Sequence, residues 1–107
     1  MMQFYSDMVK YVDGSELFKS NLFKIVEMSK SIEIPIIYAA SNSIIILNYA
    51  QVSFFHCNFS GIRIPEANLT KAFLSVIDLS NADMTSCILT SAFMKDCNFE
   101  KAVMKDV

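Results

Sequence analysis

The sequence predicts a mainly β fold, in which short turning segments stack over the second half of the chain and a helical segment caps them. Three observations predict it. First, Val52 to Asp106 divides into eleven consecutive blocks of five: VSFFH, CNFSG, IRIPE, ANLTK, AFLSV, IDLSN, ADMTS, CILTS, AFMKD, CNFEK and AVMKD. Second, the first and third residues of every block are apolar, from Val52 and Phe54 to Ala102 and Met104. With 53% of the chain apolar, chance would do this in about one run in 10⁶. Third, apolar residues before Val52 recur at spacings of three and four, as on a helix face.

A period of five matches neither the 3.6 of a helix nor the 2 of a strand, so the chain must turn after each block. An inward pair, small then large, is followed by Ser, Thr, Asn, Asp, Lys or Gly, which describes a short extended side ending in a polar corner. Successive coils then stack at roughly 4.8 Å, with backbone N–H and C=O groups bonding along the axis.

Residues 1–14 place Phe4, Met8 and Tyr11 on one side of a short helix closed by Asp13-Gly14. Ser15 is a suitable N-cap for a second, amphipathic helix with Glu16 in its first turn. Phe18, Leu22, Ile25 and Val26 form its apolar stripe, and Lys30 suits the C-terminal end of the dipole. The segment Ser31 to Pro35 breaks that helix, and Pro35 opens a third that runs to about Asn48, with Ile37, Ala40, Ile44 and Leu47 inward. A backward continuation of the five-residue phase competes with this reading, but Asn42 would then point inward. The nearly all-apolar IPIIYAASNSIIILNYA implies a helix covered on most sides, one that caps the first coil while the amphipathic helix packs over it. Two regions result: a helical cap over 1–50 and the repeat over 51–107.

ANLTK, IDLSN, ADMTS and CNFEK resemble the A-(D/N)-L-x-x units of the pentapeptide-repeat family. The resemblance covers about half the chain and implies a right-handed quadrilateral β-helix, a solenoid of about 2.75 coils at four blocks per coil. SNSIIILN and FSGIRIPEANL are also similar to segments of large multidomain proteins in which such repeats adjoin NTPase or WD40 modules. That similarity implies a place in a larger assembly or polypeptide.

Composition narrows the function. Nine basic and eleven acidic residues give a net charge of −2 with no run of like charge, which disfavours nucleic acid. No apolar run is long enough to span a bilayer and no cationic leader precedes one, so the expectation is a soluble, cytoplasmic protein. His56 is the sole histidine and sits at a corner; Glu66, Asp78, Asp83, Asp96, Glu100 and Asp106 occupy outer positions as solvated surface. Gly14 and Gly61 make no phosphate loop, and neither HExxH nor CxxC spacing occurs. Cys57, Cys87 and Cys97 all fall on the inward first position, as small core residues rather than a disulfide or metal set. Met84, Met94 and Met104 share the inward phase.

The expectation is therefore a non-enzymatic interaction or scaffold module, without cofactor or metal. The alternative implied by the resemblance is a DNA mimic that binds a type II topoisomerase. Such a mimic is strongly negative, whereas Arg63, Lys71, Lys95, Lys101 and Lys105 lie among the acids here. The second position of each block points outward and is polar except at Phe73, Ile88, Phe93 and Val103. Phe73 and Phe93, with Val76 at their border, fall on one face of successive coils. These five residues are the expected docking surface, either for the N-terminal segment of the same chain or for a protein partner. The C-terminal edge is a further expected site of self-association.

Overall fold

The computed structural model describes residues 2–31 and 34–107, with side chains from residue 7 onward. Three α-helices lead the chain: α1 (Met2–Gly14), α2 (Glu16–Met28) and α3 (Ile34–Tyr49). Ser15 caps α2 from extended backbone, its Oγ accepting from the Phe18 N–H at 3.1 Å. Lys30 lies beyond the last turn and pairs with Glu27 at 2.9 Å. Within α1, Met8 and Val12 face the core, whereas Tyr11 is exposed and meets the Phe18 ring edge-on at 5.9 Å. The side chain of Phe4 lies outside the described residues.

The repeat half corrects the predicted fold class. Regular secondary structure is helical, and the described residues contain no strand and no sheet, so a mainly β, right-handed quadrilateral β-helix is not what forms. Residues 52–107 instead make laps joined by isolated one-residue parallel bridges, Asn58 to Asp78, Arg63 to Asp83, Asn68 to Ile88 and Phe73 to Phe93 among them. The physical reason lies at the corners. Every fifth residue from Gln51 to Asp106 has φ between 57° and 78°, and only Gly61 among them is glycine. A left-handed residue at each corner ends the extended segment before a second ladder pair can form.

The five-residue register is visible in burial and in hydrogen bonds. Ten of the eleven corners close with an N–H to C=O bond across three residues, such as Ala67 to Ile64 at 3.2 Å and Ala72 to Leu69 at 3.0 Å; the corner at Val76 is the exception. Between laps, Leu69 N–H donates to the Ile88 carbonyl at 2.8 Å and Ile88 N–H donates back to Ala67 at 3.0 Å. The inward residues Phe54, Ile62, Ile64, Leu69, Leu74, Leu79 and Met84 are buried. The last lap has a neighbour on one side only, so Met94 is 37% exposed and Met104 half-buried rather than fully in the core.

The helices cover the first lap, and polar clasps set their position. Ser29 Oγ donates to the Val26 carbonyl at 2.6 Å and accepts from the Arg63 N–H at 2.9 Å. Ser41 Oγ donates to the Pro65 carbonyl at 2.8 Å, and Asn48 Nδ2 donates to that of Thr70 at 3.1 Å. These groups take up backbone bonds that a preceding lap would otherwise satisfy. Val26, Ile44 and Leu47 thereby join Phe54, Ile62 and Leu69 in one core. Helix α3 is more open than expected, since Ile34 and Tyr38 are exposed along one edge.

Candidate docking face

The polar second residues of the blocks brace their own corners. Asn68 Oδ1 accepts from the Thr70 N–H at 3.1 Å and hydroxyl at 2.6 Å; Asp78 does the same for Ser80 and Asp83 for Thr85. Asn58 and Asn98 hold the N–H groups of Ser60 and Glu100. This is the local reason for an Asn or Asp two residues before the turn. The bonds from Ser80 to Asp78 hold its carboxyl below the usual range. The sequence reading, which treated Asp78 and Asp83 as solvated surface, missed these braces. The recurring D/N-x-S/T spacing was the signal for them.

Five blocks after the first lack the brace. In IRIPE the cost vanishes, because Pro65 has no N–H for Arg63 to hold. In the other four, Phe73, Ile88, Phe93 and Val103 replace the acceptor, and the N–H groups of Ser75, Thr90, Lys95 and Lys105 have no protein acceptor among the described residues. Each forgone bond is worth on the order of 0.5 to 1.5 kcal/mol before solvent competition.

The laps sort these four residues onto different faces. Phe73 bridges Phe93, so the two rings share a face, stacked at 5.3 Å between centroids with an 11° interplanar angle. They are 42% and 55% exposed with the described helices in place, so the N-terminal segment does not hide them. Val76 is exposed at the next corner of that face. Ile88, paired with Asn68, lies one face back around the same edge. Val103, paired with Asp83, lies two blocks on from the Phe93 block and hence on the opposite side of the lap. The structure thus brings together Phe73, Phe93 and Val76, sets Ile88 beside them and separates Val103.

Val76 adds strain. It is β-branched with φ of 59°, a conformation that costs roughly 1 to 2 kcal/mol for such a residue. Beside the rings, the end of α3 supplies Ile45, Asn48 and Tyr49, which form a groove of about 590 Å³ with Lys71, Phe73 and Phe93. Sequence reasoning missed this wall, because nothing in the period shows where the helix lies along the lap.

Elsewhere, His56 is exposed at its corner with its ring 3.9 Å from that of Phe55. No three His, Cys, Asp or Glu side chains converge as metal ligands among the described residues. All three cysteines are free: burial raises the Cys57 thiol and pushes those of Cys87 and Cys97 up to about 11. Cys87 Sγ also donates to the Ile64 carbonyl at 3.1 Å. Among the described residues no helix is long and apolar enough to cross a membrane.

The laps, corners and braces together define a protein built from repeated five-residue units. The family model for pentapeptide repeats matches eight copies, over residues 50–85 and 77–106, and the chain belongs to the pentapeptide-repeat family. Every corner of the eleven blocks nevertheless adopts the same left-handed turn. Comparison with curated proteins and with solved structures found no significant match.

Proposed function

We propose that this chain is a non-enzymatic protein-interaction module whose docking face is centred on Phe73 and Phe93. The stacked, solvent-exposed ring pair carries this reading. Adjoining aromatics are more than the scattered apolar surface common to folded proteins, and aromatic residues are enriched among binding anchors. Stability is also given up around them, in two unbraced N–H groups and a β-branched corner at Val76, while the stack itself returns only about 0.5 to 1.5 kcal/mol. Ile88 and Val103 lack the brace too, but only at Phe73 and Phe93 do missing braces coincide with a stacked ring pair and a β-branched left-handed corner. Such a cluster of departures from the local rules marks a functional surface. A soluble, cytoplasmic setting suits such a module.

The test is comparative capture by the wild type, Phe73→Ser/Phe93→Ser and Val103→Ser, each with its melting curve recorded. The ring variant should keep its fold and lose the proteins the wild type holds, whereas Val103→Ser, on the opposite side, should keep them. An identical captured set for all three would remove the docking face.

A further inference from the structure

We infer that the groove beside the rings takes an acidic peptide segment of a partner protein, anchored by an aromatic or aliphatic side chain. This rests on the docking reading above and deepens it. The groove couples two kinds of group. Its apolar part is the Phe73 and Phe93 stack facing Ile45 and Tyr49, enough to bury one large side chain. Its charged part is Lys71, and no carboxylate lines it. Lys71 has no carboxylate within ion-pair distance among the described residues. The backbone adds donors of the same kind, since the N–H groups of Ser75 and Lys95 stand free where Phe73 and Phe93 displaced their braces. Cationic and unpartnered donor groups around an apolar slot are complementary to a ligand that brings carboxylates with its apolar anchor.

The same features select a peptide over a compact small molecule. The ring side is open to solvent, and the apolar surface continues past the groove to Val76 along the face and to Ile88 around the edge. An extended segment can follow that continuation and place successive side chains on it. The whole chain is close to neutral at −2, so recognition of acidic sequence has to come from local charge in the groove, which Lys71 supplies.

The experiment is selection from a phage-displayed library of random 12-residue peptides on the full chain, with subtraction against Phe73→Ser/Phe93→Ser. Selected sequences should combine Asp or Glu with Phe, Leu, Ile or Trp. A fluorescein-labelled synthetic peptide of the most enriched sequence should lose roughly tenfold or more in affinity on the ring variant. It should lose about fivefold on Lys71→Glu, a loss that fades in 0.5 M salt. Glu is already held at the equivalent corner position by Glu66, at φ of 63°, so Lys71→Glu should fold. Enriched peptides that are basic or neutral and indifferent to Lys71 would overturn the acidic chemistry while leaving the ring-dependent docking face in place. If no selected peptide binds below about 1 mM in a ring-dependent way, a peptide occupant is overturned, and the capture experiment decides the docking face by itself.

Discussion

At the scale of single residues, each block is governed by two decisions: what sits at the left-handed corner and what braces it. Val76 makes the corner decision badly, since Asn81 and Gly61 fill the same position with residues that tolerate positive φ. Val76→Asn should therefore raise the melting temperature, by about 1 kcal/mol of relieved strain, and an unchanged or lower melting temperature would show that Val76 is held by contacts. Asp78 makes the brace decision well. Its folded pKa lies below the ordinary value of 3.8 because Ser80 hydrogen-bonds the charged form. A depressed carboxyl stabilises the fold above its unfolded pKa, and that contribution is lost as pH falls through the folded value. Asp78→Asn keeps an acceptor, as Asn58 and Asn98 do, but cannot titrate. Urea midpoints of the two proteins should differ at pH 7 and converge below pH 3.8, whereas a gap independent of pH would deny the charge a role.

At the scale of elements, the inward and outward phases of a block behave as different materials. Leu74 is buried between laps and Ser75 follows it at the rim. Leu74→Asp should cost several kcal/mol and abolish the cooperative melt, whereas Ser75→Asp should shift it little. Equal loss in both would contradict the register. The inward column from Val52 to Met104 was legible because period-five apolarity has no other cause, and α2 was legible from Ser15, Glu16 and its stripe. The strand content was not. Short extended sides suggest strands, but corners such as Glu66 and Lys71, at φ of 63° and 61°, limit pairing to single bridges. The clasps from Ser29, Ser41 and Asn48 were invisible too, since a polar residue within or at the end of a helix gives no sign of the carbonyl or N–H it will meet. Val12 rather than Tyr11 joins the core for a similar reason: the stripe on a short helix is set by what packs against it.

At the scale of the whole molecule, the helical half and the laps share one core, so the docking face is carried on a platform rather than a loop. Phe73 and Phe93 are held apart by the lap spacing and side by side by the bridge between them, while α3 fixes the far wall of the groove through Asn48. The anomalous second positions and the shared face of Phe73 and Phe93 were legible in the sequence, and the pairing of Val103 with Asp83 adds that Val103 turns away from them. A rigid, uncovered aromatic face should change its accessibility only when a partner arrives. Hydroxyl-radical footprinting of the purified chain, alone and bound to the protein it captures, tests this most directly. Phe73 and Phe93 should be oxidised readily in the free chain and protected in the complex, with Phe55 and Val103 unchanged. Unaltered oxidation of both rings in a complex that has formed would contradict the assignment of the docking face.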